Sequence, residues 1–114
     1  MALRVLSYDF NDVTDVGTWA PEDPFNIDEW LNVTVGDDSG GSNYQVHLCT
    51  PVSIRHIRNK RHCFMIDSWA GTSTLERELN AFVERIEAET TDNVIHTLAR
   101  HWQWEYGEVP RVAT

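Results

Sequence analysis

The residue types that most often carry chemistry are few in this chain and poorly spaced for it. Histidines stand at His47, His56, His62, His96 and His101, and cysteines at Cys49 and Cys63. No two histidines are two or four apart, and His96 and His101, five apart, point to different faces of a helix. There is no Cys-x-x-Cys, so a structural zinc site lacks a local ligand pair, and a composite of Cys49, Cys63 and one histidine has no ligand spacing behind it. Asp9, Asn11, Asp12 and Asp15 resemble half of a calcium loop, but its turn glycine and distal glutamate are missing. Ser7, Ser53 and Ser73 sit in no Gly-x-Ser-x-Gly elbow, and Gly40-Gly41 lies among acids that would repel phosphate. Carboxylate pairs could be drawn freely from 18 acidic residues, and that abundance empties the signal. The expectation is no catalytic residue, no metal and no cofactor.

The charge itself says more. Eighteen Asp plus Glu against nine Lys plus Arg give −9, with a pI near 4.8, in 114 residues. A nucleic-acid ligand is not expected, because a phosphate backbone rewards clustered positive charge. An anionic membrane surface is disfavoured on the same ground. The charge runs −8 up to residue 54, +4 over residues 55–62 and −5 thereafter, so Arg55, Arg58, Lys60 and Arg61 form the one basic stretch. It is read as a surface turn pairing with neighbouring acids. No run approaches the roughly 18 apolar residues of a membrane span, and Met1–Asp9 does not read as a signal peptide. A cytoplasmic location is expected, with Cys49 and Cys63 as buried reduced thiols; a cross-strand disulfide would need facing Cβ atoms. Of the five tryptophans, Trp30, Trp69, Trp102 and Trp104 are read as packing residues and Trp19 as the exposed one.

The elements that must position these residues follow from hydrophobic periodicity. Leu3 and Val5, then Tyr8 and Phe10, mark a strand over residues 2–10. Pro21-Glu22-Asp23-Pro24 reads as a rigid acidic turn. From Trp30 to Val35 the alternation is clean, Leu31, Val33 and Val35 on one face, Trp30, Asn32 and Thr34 on the other. Residues 36–43, with two Asp, three Gly and two Ser, predict a hairpin loop longer than two residues. A strand resumes over residues 44–50 and stops at Pro51. His62–Trp69 is apolar on both faces, as a central or doubly covered strand would be. Ser73-Thr74-Leu75-Glu76 is a capping box, and Leu75, Leu79, Phe82, Val83 and Ile86 form a helical stripe. After a break at residues 90–92, Val94, Ile95, Leu98, Ala99 and Trp102 form a second stripe, and Trp104, Tyr106 and Val109 suit a short last strand. The expected fold is one α+β domain over residues 1–114, an antiparallel sheet of four to five strands with two C-terminal helices on one face.

With the residues laid out, the chain resembles the immunity protein 8 family of bacterial polymorphic toxin systems. The resemblance spans about residues 20–107. It is carried by Pro21-Glu22-Asp23-Pro24 through Trp30, by Val33-Thr34-Val35-Gly36, and by Val46-His47-Leu48-Cys49-Thr50-Pro51 after the acidic hairpin. It continues through His62-Cys63-Phe64-Met65-Ile66-Asp67, two helices and Trp104-Glu105-Tyr106. After Cys-Thr-Pro the family usually has Trp-Leu, where Val52-Ser53-Ile54 stands here, and the basic run that follows is unusual for it. The resemblance implies a cytoplasmic, non-enzymatic inhibitor of a cognate protein toxin. A basic nuclease would suit a −9 partner, since complementary potentials speed encounter.

On that reading the partner-binding residues are expected at the hairpin tip, Asp37 and Asp38. Glu22, Asp23 and Trp19 extend the surface if their loop folds beside the hairpin. Two other classes compete. A small carboxylate-dependent hydrolase would show two acids with shifted pKa values in a concave pocket. A structural subunit of a larger assembly would show a large exposed apolar patch.

Overall fold

The computed structural model describes residues 3–10, 20–89 and 93–105. Trp19, Tyr106 and Val109 lie outside them. Five strands form one sheet: β1 (Arg4–Phe10), β2 (Asp28–Asp37), β3 (Gly40–Cys49), β4 (Cys63–Met65) and β5 (Gln103–Trp104). Two helices, α1 (Thr72–Glu89) and α2 (Val94–Leu98), complete the α+β fold. The strand order is β1-β2-β3-β4, with β5 also on β3.

The sheet is mixed rather than antiparallel throughout. β1, β2 and β5 pair antiparallel with their neighbours, but β4 runs parallel to β3, His47 opposite Cys63 and Cys49 opposite Met65. A parallel neighbour needs a crossover of about a dozen residues or more, and residues 50–62 supply it without a full helix. That segment contains a 3-10 turn at Ser53–His56 and the basic stretch. β4 is also shorter and more peripheral than its two-sided apolarity suggested. It ends the strand order, and Met65 is 54% exposed.

The hairpin corrects a second expectation. Asp37 pairs with Gly40 and Gly36 with Gly41, so only Asp38 and Ser39 lie between the strands. The glycines are strand residues that allow close approach. A Cβ on Gly36 would stand 2.1 Å from the Gly40 carbonyl oxygen, and Gly40 has φ 138°. In β1 the apolar phase slips between Val5 and Tyr8, and the register with β2 shifts between Val5 and Ser7. A bulge there turns Val5 and Phe10 into the core and leaves Leu6 40% exposed.

One face of the sheet carries Leu31, Val33 and Val35 from β2 and Tyr44, Val46 and Leu48 from β3, all buried against the stripe Leu75, Leu79, Val83 and Ile86 of α1. α1 begins at Thr72, not after the expected cap at Ser73. Gly71, φ 96°, precedes it, and its carbonyl accepts from the Leu75 N–H (3.2 Å). Side chains of α1 also satisfy amides of the β1 segment: the Val5 N–H donates to Asn80 Oδ1 (2.8 Å) and the Leu3 N–H to Glu87 Oε2 (3.0 Å). α2 is capped by Asn93 and stops at Leu98 rather than continuing to Trp102. The chain tightens there, with the His101 N–H on the Leu98 carbonyl (2.9 Å), and Trp102 turns inward at 1% exposure. Trp102 packs on Phe82 (5.1 Å), Phe64 (6.0 Å) and Tyr44 (6.0 Å), joining both helical segments to β3 and β4. The Tyr44 hydroxyl donates to the Ile95 carbonyl (2.8 Å), and burial raises its pKa.

Candidate functional site

With the helices on one face, alternation places the polar partners of β2 and β3 on the other. Two rows of side-chain hydrogen bonds cross that open face. Gln45 Nε2 donates to Asn32 Oδ1 (3.3 Å), and Asn32 Nδ2 to Asp9 Oδ1 (2.8 Å). Thr34 Oγ1 donates to Asn43 Oδ1 (2.7 Å), and Asn43 Nδ2 to Glu105 Oε2 (3.0 Å). Beside them the Trp30 ring stacks on His47, centroids 4.5 Å apart and planes 19° off parallel. His47 Nε2 is 2.5 Å from Asp28 Oδ1, and its Nδ1 is 3.9 Å from Cys63 Sγ.

The acids expected to bind a partner fall into two groups. Asp37 and Asp38 stand at the hairpin tip. Asp37 Oδ1 accepts from the Ser39 hydroxyl (2.6 Å) and N–H (2.9 Å), and these bonds hold its carboxyl below the usual range. Asp38 meets Arg4 at 3.5 Å, both well exposed. Glu22 and Asp23 stand beside the start of β2, where they line an open groove of about 710 Å³ with Asp28 and Glu29. β2 is ten residues long, and at roughly 3.4 Å per residue the two acidic groups are about 30 Å apart. Glu22 and Asp23 therefore do not extend the hairpin surface but make a second one.

The loop bearing Glu22 and Asp23 is held by a buried polar knot. Thr50 Oγ1 accepts from the Ile27 N–H (3.1 Å) and donates to the Phe25 carbonyl (2.7 Å). Ser53 Oγ accepts from the Thr50 N–H (2.9 Å) and donates to the Ile27 carbonyl. Thr50 and Ser53 are 0% and 2% exposed. Asp23 Oδ1 accepts from the Phe25 N–H (2.9 Å), and the Trp69 N–H donates to the Pro24 carbonyl (2.8 Å). Phe25, Val52 and Met65, three of the exposed large apolar side chains, stand around this knot and the end of β3.

The basic stretch lies along the β4 side. Lys60 Nζ donates to the Ile57 carbonyl (2.7 Å). Asn59, Arg61 and His62 border a cavity of about 300 Å³ with Trp30, Gln103 and Trp104. Burial lowers the His62 pKa, a backbone hydrogen bond at His101 opposes, and Arg61 pushes the same way as burial. Both cysteines are free thiols, Cys49 buried and Cys63 half-buried. Among the described residues no three His, Cys, Asp or Glu side chains converge to hold a metal ion. Nor is any described helix long and apolar enough to cross a membrane.

The sequence reading did not find Asp28, His47 and Cys63 together. They come from three strands, and no linear spacing joins them. The only local signal is His47 itself, a polar residue inside the apolar run Val46–Cys49.

Fold and surface together define an acidic α+β domain that presents an open, polar sheet face. The chain belongs to the immunity protein 8 family, whose model matches residues 3–108. It is thus an immunity protein of a polymorphic toxin system. No curated protein and no solved structure gives a significant match.

Proposed function

We propose that this chain works in the cytoplasm of the toxin-producing cell, where it binds the cognate toxin and covers a basic functional surface, as a nuclease would present. The observation that carries this reading is the display of acid at both ends of β2: Asp37 and Asp38 at one, Glu22, Asp23 and Asp28 at the other. A −9 chain with such patches attracts a basic partner over a long range and accelerates encounter.

The Glu22–Asp23 end has the better interface anatomy. Exposed Phe25, Val52 and Met65 provide an apolar centre, and the acids provide a polar rim. A role in catalysis fits the same acids poorly. Glu22, Asp23 and Asp28 are exposed and lack the burial that would set one apart as a general acid.

The test is association with the protein encoded in the adjacent toxin reading frame, followed by stopped-flow at low and high salt. The expected result is a stable complex whose association rate falls steeply with salt, and falls further in Glu22→Lys/Asp23→Lys. No complex with that protein, or a salt-independent rate, refutes the reading.

A further inference from the structure

Toxin binding by surface acids leaves unexplained a cluster at the β4 edge of the sheet, beside the start of β2, where His47 is buried. Cys63 Sγ faces His47 Nδ1 at 3.9 Å, and the other nitrogen of that ring is 2.5 Å from Asp28 Oδ1. The order is thiol, imidazole, carboxylate, each on its own strand, brought side by side by the pairing of β2, β3 and β4. A hydrogen bond from Nε2–H to Asp28 selects the tautomer whose Nδ1 lone pair faces the sulfur. The ring cannot drift from that pose. Its side chain is 8% exposed, and Trp30 stacks on it. A nucleophile beside a base that a third group orients is the arrangement by which proteins activate weak nucleophiles.

The second cysteine sits close enough to the first to hydrogen-bond with it, but it is the weaker nucleophile of the two. Cys49 lies on the same face, but the register sets it opposite Met65 and sets Cys63 opposite His47, so the two thiols are two residues out of step. Cys49 is fully buried, and burial, with the neighbouring Cys63 adding to it, pushes its thiol up to about 12. It stays protonated. Cys63 is the half-buried one.

We propose that Cys63 is a His47-activated thiol and the site at which small disulfides modify this protein covalently. His47 Nδ1 takes the Cys63 proton. The thiolate sulfur attacks one sulfur of the incoming disulfide, and the reagent's S–S bond breaks as the new one forms. The other half leaves as a thiolate and takes the proton back from His47. The disulfide is itself the oxidant, one reagent half is reduced to a thiol, and a free thiol reverses the step by the same route. The titratable and charged groups facing this ring are Asp28 on β2, Cys49 on β3 and Cys63 on β4, with Arg61 and His62 across Trp30.

The experiment uses the full chain, reduced and desalted, with dithiobis-nitrobenzoate and separately with oxidised glutathione as probes. The site is mapped by mass spectrometry and the rate is followed against pH. The expected result is labelling of Cys63 before Cys49 by a factor of roughly ten or more. Cys63→Ser should abolish the fast phase and Cys49→Ser should leave it. Asp28→Asn replaces an exposed carboxylate with a near-isostere, and should slow labelling at neutral pH by roughly tenfold. His47→Gln should do the same, and circular dichroism decides whether that variant is folded enough to count. Labelling of Cys49 first, equal labelling, an unreactive Cys63, or a Cys63 profile untouched by Asp28→Asn each overturns the proposal. The toxin reading stands or falls separately, because no arm of this experiment contains the toxin.

Discussion

Replacing Thr50 by Val tests the knot that joins the acidic loop to the sheet. The two side chains have nearly the same shape, so packing is preserved and only the hydroxyl is lost. The Thr50 hydroxyl serves two backbone groups, the Ile27 N–H at 3.1 Å and the Phe25 carbonyl at 2.7 Å. Ile27 is 2% exposed, so its amide cannot turn to water. A buried donor left unpaired costs about 1–3 kcal/mol. Phe25 is 60% exposed, so its carbonyl recovers much of its loss through solvent. The sum is about 2–3 kcal/mol, or roughly 8–12 °C in Tm for a domain of this size. Urea denaturation would measure the global part, and hydrogen exchange at the Ile27 amide the local part, which should lose protection first. The functional consequence is specific. Glu22 and Asp23 stand on the released loop, so Thr50→Val should weaken toxin binding where the hairpin acids cannot compensate. A variant within 0.5 kcal/mol of the parent, with Ile27 still protected, would show that the knot does not hold the loop.

Reversing the hairpin charges with Asp37→Lys/Asp38→Lys should slow toxin association severalfold at low salt and much less at high salt. Identical stopped-flow rates would place recognition away from the hairpin, the Arg55–Arg61 side being next to examine. That variant loses an exposed Asp38–Arg4 pair worth about 0–1 kcal/mol. Gly36→Ala drives a methyl into the Gly40 carbonyl and the Gly41 Cα, and should destabilise the chain by about 2 kcal/mol or more, because backbone cannot yield as a side chain does; an unchanged denaturation midpoint would contradict this. Asp37 has its pKa depressed by Ser39, so its contribution to the turn is complete above the ordinary carboxylate range and is lost as pH falls through the folded value. An NMR titration should therefore show the Ser39 amide shifting at a lower pH than a free aspartate would, and a transition at the ordinary value would refute the hydrogen-bonded turn.

The parts of this fold that could be read residue by residue are those governed by local backbone geometry. The two-residue alternation of β2 and the Leu75, Leu79, Val83 and Ile86 stripe of α1 appear where periodicity puts them, because each face is set by its own segment's repeat. The strand β1 was legible in the same way, whereas its register shift between Val5 and Ser7 emerged only from its pairing with β2. The family resemblance was equally legible, resting on contiguous runs such as Val46–Pro51 and covering most of the span that the family model matches. The parallel direction of β4, the two-residue hairpin and the end of α2 were not legible. Each depends on how a short segment meets residues far away in sequence: Cys63 against His47, Gly36 against Gly41, Trp102 against Phe64 and Phe82. The same holds for the surface chemistry. Net charge follows from composition, but its division into two acidic patches follows from the length of β2, and the loop that carries one of them is tied down by Thr50 and Ser53 through bonds that span more than twenty residues. Asp28, His47 and Cys63 acquire their relation only through strand register, since hydrogen bonding between strands sets which side chains are neighbours and no periodicity within one strand can.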